Sequence, residues 1–193
     1  MASSSAPSSA QKPIAYDFTL PALSGSSAAE PQQEMRPEEK IDLSRWRGRP
    51  LLIVNTASRC GFTPQYEALE ALWQSQNKDS DGLVVIGVPS NDFGAQELDT
   101  PGEIASFCQA RYGVTFPLAA RSHVRGSQAV PLYRWLAGQA GFLGRPRWNF
   151  HKYLIGRDGR LQDWFLPSTT PSAPRLQRAI RRALQTPPPA RAR

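Results

Sequence analysis

Leu51 to Val54 form an uninterrupted apolar run, and a similar run returns at Leu83-Val84-Val85-Ile86-Gly87-Val88. Runs this short suit strands buried on both faces. Between them Tyr66, Leu69, Leu72 and Trp73 recur at helical spacing, which predicts a helix from Pro64 to about Gln76 with Thr63 as its cap. A second helix is predicted over 101–112: Thr100 and Glu103 form a capping box, Pro101 takes the first position and Gly113 stops it. Phe116-Pro117-Leu118 suggests a third strand, and Pro131 to Leu136 one short helix. Lys152 to Ile155 and Leu161 to Phe165 flank Arg157-Asp158-Gly159 and read as a hairpin. Leu176, Ala179, Ile180, Ala183 and Leu184 define a closing amphipathic helix, ended by Pro187, Pro188 and Pro189. Near the front, alternation over residues 14–20 predicts a strand, and Ile41 to Ser44 returns to a strand-like or turn pattern.

This βαβαβ order, followed by a hairpin and a helix, implies an α/β fold: a central mixed β-sheet flanked by helices, the thioredoxin-like architecture. One domain is expected over 14–185. Residues 21–40, rich in Ser, Ala, Pro, Glu and Gln, read as a flexible insertion, while 1–13 and 186–193 read as loose tails.

Composition narrows the partners. The 193 residues contain no stretch near the ~20 apolar residues of a membrane span. The first ten residues are small and polar, without the apolar core of a secretory signal. Two cysteines make no disulfide framework, and a reducing, cytoplasmic setting is expected. The net charge of +7 is uneven: from Arg121 to Arg193 there are fourteen basic residues against Asp158 and Asp163. That excess reads as a solvated Arg-rich face, since no nucleic-acid motif and no interleaving of aromatics accompanies it.

Chemistry centres on Cys60, in Asn55-Thr56-Ala57-Ser58-Arg59-Cys60-Gly61, directly after the Leu51–Val54 run. A thiol on a strand-to-helix turn meets backbone N–H groups and the positive end of a helix dipole, both of which favour the reactive thiolate. Three further segments accompany it: Val88 to Glu97 (V-P-S-N-D-F-G-A-Q-E), Phe116-Pro117, and Trp148 to Ile155 (W-N-F-H-K-Y-L-I). With these four segments in order, the chain resembles the glutathione peroxidase family, in its cysteine-containing, non-selenium form.

The resemblance implies a thiol-dependent peroxidase that reduces hydrogen peroxide and organic or lipid hydroperoxides through a cysteine sulfenic acid. Cys60 is then the nucleophile, and Gln96, Trp148 and Asn149 are neutral donors that steady an exposed thiolate and polarise the leaving oxygen. No cofactor and no metal is expected. Thioredoxin or glutathione is the expected reductant, and Cys108 is a possible resolving cysteine or a packed core residue. Asp92 replaces a common Gln, and His151 a common Glu. His123 has no partner in the sequence. The short stretch from Leu136 to Trp148 leads us to expect a monomer. Two other readings stay open. A thiol-disulfide oxidoreductase fits the fold but wants C-x-x-C, where Thr63 stands at the fourth place. A non-catalytic module would use the basic half to dock on an anionic surface.

Overall fold

The computed structural model describes residues 12–23, 40–76 and 80–187. The expected tails, through residue 11 and from residue 188, and most of the expected 21–40 insertion lie outside them.

The chain enters through β1 (Thr19–Pro21) and β2 (Lys40–Asp42), paired antiparallel. The strand expected over 14–20 is therefore only partly correct, because Ala15–Asp17 is a 3-10 turn. Asp17 Oδ2 accepts from Ile14 N at 3.0 Å, and the turn buries Tyr16 so that its hydroxyl donates to Arg49 O at 2.6 Å. A buried phenol needs such an acceptor.

The main elements follow as β3 (Leu51–Thr56), α1 (Gln65–Gln76), β4 (Val84–Pro89), α2 (Pro101–Tyr112), α3 (Pro131–Ala140), β5 (Lys152–Ile155), β6 (Leu161–Phe165) and α4 (Pro174–Gln185). The sheet runs β4-β3-β5-β6, with β3 parallel to β4 and antiparallel to β5. Every residue of β3 and β4 is buried, which alternating side chains permit only when both sheet faces are covered. This is the mixed sheet flanked by helices that the apolar pattern implied. The α2 boundaries also match, with Glu103 N donating to Thr100 Oγ1 and Gly113 at φ +62 closing the helix.

Two elements differ from expectation. Phe116–Leu118 makes a single parallel bridge, Leu118 to Gly87, rather than a strand. Pro117 has no N–H to donate, and the segment presses so close that a Cβ on Gly87 would lie 2.5 Å from Leu118 Cδ2. The helix at Pro131 runs four residues past Leu136, to Ala140.

Candidate active site

At the end of β3 the buried residues Asn55 and Thr56 lead into the turn that carries Cys60. Cys60 N donates to Thr63 Oγ1 at 3.0 Å, and that hydroxyl donates onward to Ala57 O at 2.8 Å. Thr63 is thus not the cap of α1, which begins at Gln65; its side chain locks the cysteine turn instead. Phe62 N approaches Cys60 Sγ at 3.4 Å, the one hydrogen bond that the sulfur receives among the described residues. Cys60 is 7 % exposed, so the expected open thiolate is corrected to a sulfur at the rim of the core.

The loop after β4 carries Gln96. It turns through two successive left-handed residues, Gly94 at φ +72 and Ala95 at φ +49. Such backbone persists in a non-glycine residue only when its surroundings impose it. Here Arg59 N donates to Gln96 O at 2.8 Å, tying this loop to the neighbour of Cys60. Glu97 supplies a second tie: its Oε1 accepts from Ser58 N and from the Ser58 hydroxyl, and from Leu98 N. Burial pushes the Glu97 carboxyl above its ordinary range, against those hydrogen bonds.

The third segment precedes β5. Asn55 holds it from both ends of its own residue: Nδ2 donates to Trp148 O at 3.0 Å, and its carbonyl accepts from Phe150 N at 2.6 Å. Phe150 sits at φ +65, and the buried Lys152 Nζ donates to its carbonyl at 2.7 Å. Burial lowers the Lys152 amine to about 7.

These braces bring Asn149 against Gln96, with Nδ2 donating to Gln96 Oε1 at 2.9 Å and to Phe93 O at 3.3 Å. Trp148 lies 41 % exposed, its ring 6.2 Å from that of Phe93. Gln96 and Asn149 are therefore in contact, and Trp148 adjoins them. None of the three donates to the sulfur.

Cys108 is placed differently. It is buried on α2, where burial pushes its thiol up to about 12, beside the hydroxyl of Tyr66. His151 is buried too, its ring stacked 5.8 Å from Trp164 and edge-on to Tyr153. Asp92 accepts from His123 Nδ1 at 2.7 Å and from Val124 N and Arg125 N. Burial works against its charge, yet those bonds hold its carboxyl below the ordinary range. Sequence reasoning missed this pair, as it missed the Asn55, Ser58–Glu97 and Lys152 braces. Their only signal was that, His123 excepted, they lie within the motif segments. No cluster of three or more His, Cys, Asp or Glu able to hold a metal occurs among the described residues.

Cys60 thus stands on a strand-to-helix turn of a thioredoxin-like sheet, with Thr63 rather than a second cysteine at the fourth place of a C-x-x-C pattern. The family model described as glutathione peroxidase matches residues 30–137. The chain is 46 % identical over 134 residues to a glutathione peroxidase-like peroxiredoxin of Schizosaccharomyces pombe, covering 66 % of this chain and 84 % of that one. It is 42 % identical over 155 residues to a hydroperoxy fatty acid reductase of Synechocystis, covering 76 % and 82 %. The crystal structure of Trgpx in apo form superposes with a TM-score of 0.69 at 35 % identity, over 93 % of this chain and all of that one. The chain belongs to the glutathione peroxidase family and is a peroxidase.

Proposed function

We propose that Cys60 reduces hydrogen peroxide and organic or lipid hydroperoxides, and that Gln96, Trp148 and Asn149 serve it. The observation that carries this reading is the convergence of three distant loops, at residues 55–63, 91–97 and 148–150, braced to one another by Asn55, Glu97 and the Arg59–Gln96 backbone bond.

The thiolate attacks one peroxide oxygen, breaking the O–O bond. Sulfur bonds to the hydroxyl-bearing oxygen and is oxidised by two electrons to sulfenic acid, and the departing alkoxide takes up the proton that the thiol released on ionising and leaves as alcohol, or as water from hydrogen peroxide. With its Oε1 engaged by Asn149, Gln96 keeps its amide N–H groups uncommitted, as is the Trp148 indole N–H among the described residues. These are the donors suited to a developing oxyanion. One reductant thiol then condenses with the sulfenic acid, releasing water, and a second reduces the mixed disulfide to regenerate Cys60.

Thioredoxin or glutathione supplies those thiols in this reading. A resolving role for Cys108 requires α2 to open first, because a buried, protonated thiol is neither reachable nor nucleophilic. We therefore favour direct reduction of Cys60. The reading also includes a cytoplasmic monomer built on the 14–185 domain.

Cys60→Ser is expected to abolish peroxide consumption with either reductant; undiminished turnover would end the assignment. Mass spectrometry of peroxide-treated protein is expected to find sulfenic acid or a thiol adduct on Cys60. An intramolecular Cys60–Cys108 disulfide would restore the resolving role.

A further inference from the structure

Asp92 and His123 take no part in the reaction as drawn, yet they join the Gln96 loop to the segment over 121–126. Asp92 commits both carboxylate oxygens to that segment: Oδ1 accepts from His123 Nδ1, and Oδ2 from the backbone N–H groups of Val124 and Arg125 at 2.7 and 3.1 Å. Its side chain is only 9 % exposed, so the pair is not one of the solvent-screened surface bridges that contribute little. Two other bonds already fasten the segment: Ser122 N donates to Pro89 O, and Arg121 Nη1 to Leu98 O. What Asp92 adds is orientation. It fixes the backbone of Arg125, whose guanidinium lies 5.1 Å over the Phe93 ring. No ion pair among the described residues draws Arg125 elsewhere. Phe93 in turn supports two of the three proposed donors. Its ring packs 6.2 Å from that of Trp148, and its carbonyl accepts from Asn149 Nδ2 at 3.3 Å. An amide in place of the Asp92 carboxylate could not serve all three N–H groups, because its own NH2 would face one of them.

We propose that Asp92, His123 and Arg125 form a positioning unit for the donor wall of the site, in which Arg125 holds the Phe93 ring against Trp148 and so fixes the direction of the indole N–H. A cation over an aromatic face attracts the ring electrostatically, which a neutral side chain of the same length does not. Trp148 needs such backing because its ring is 41 % exposed, and water on one side restrains no rotamer. None of the three residues hydrogen-bonds to Cys60, so they act through Trp148 and Asn149. The placing of the indole stands apart from the peroxidase reading; only its effect on rate rests on that reading.

Acrylamide quenching of the Trp148 share of the fluorescence, taken as the difference between each protein and its Trp148→Phe counterpart, reads the setting of the indole without reference to activity. Asp92→Asn is expected to raise that quenching. Arg125→Met, a change at an exposed residue that leaves the fold intact, is expected to raise it too and decides the matter even where Asp92→Asn unfolds. Oxidation of Cys60 by hydrogen peroxide, followed as loss of its thiol, is expected to slow roughly 10-fold in Asp92→Asn and about 3-fold in Arg125→Met. In the Trp148→Phe background neither substitution is expected to slow it further, the mark of residues that act through one group. Unchanged quenching in Arg125→Met overturns the proposal. So does an Asp92→Asn loss of rate that is equally large with and without Trp148, since the pair would then merely tie a loop. A shifted indole with rates unchanged keeps the positioning unit and removes Trp148 from the reaction.

Discussion

Asn55 and Lys152 do more for the site than their positions inside strands suggest. Asn55 spans the Trp148 carbonyl and the Phe150 N–H, and Lys152 caps the Phe150 carbonyl. Together they hold a left-handed non-glycine residue beside Asn149. A site segment misplaced by about 1 Å can cost on the order of 100-fold in rate. Asn55→Ala and Lys152→Met are accordingly expected to slow peroxide oxidation of Cys60 by roughly 10- to 100-fold, read by stopped-flow fluorescence. Their stabilities should diverge. Asn55→Ala leaves a buried bond unmade and is expected to cost about 1–3 kcal/mol. Lys152→Met also orphans a carbonyl but removes a buried amine, so urea unfolding is expected to move by less than about 1 kcal/mol. Equal losses of stability with unchanged rates would reduce both residues to ordinary core members.

Among the elements, β4 shows how a single position sets what lies beside it. Gly87 is parallel partner to Val54 in β3, and its N–H also donates to Pro117 O at 3.0 Å. The Phe116–Leu118 segment closes that side of the sheet because nothing projects from Gly87. Gly87→Ala is expected to cost about 1–3 kcal/mol through overpacking against Leu118 and Phe116. The same variant with Leu118→Val should recover part of that loss, measured by thermal unfolding. α2 is the contrasting case. Its ends are defined by neighbours in sequence, Thr100, Glu103 and Gly113, so local chemistry suffices to place it.

For the whole molecule, burial of titratable groups makes folding depend on pH. His151 is fully buried, and burial together with the neighbouring Lys152 charge lowers it to about 4, against an upward pull from the Gly144 backbone. The folded state therefore prefers neutral imidazole. Stability from this group is intact above the ordinary histidine range and drains away as pH falls from 6.5 toward 4. The full effect is on the order of 3 kcal/mol. Glu97, raised by burial, works in the opposite direction over part of that window, so the comparison needs a variant. The stability of wild type relative to His151→Phe is expected to decline steadily between pH 6.5 and pH 4 in urea titrations. A flat difference would mean that His151 is not held neutral.

Helices, main strands and their order were legible from periodicity and caps, since burial on one helical stripe or on both strand faces leaves a local trace. The resemblance carried by the four motif segments singled out Cys60, Gln96, Trp148 and Asn149 as candidates, since a family motif is written in side-chain types at fixed spacing. Contacts across dozens of residues leave no such trace. The 3-10 turn at Ala15–Asp17 depends on Tyr16 reaching Arg49 and Gly156, and the bracing of the site depends on Asn55 meeting Trp148. The depth of Cys60, the grip of Glu97 on Ser58 and the seat of Arg125 over Phe93 were decided only when the sheet brought separate loops together. Solvent access and buried hydrogen bonds are properties of that packed whole.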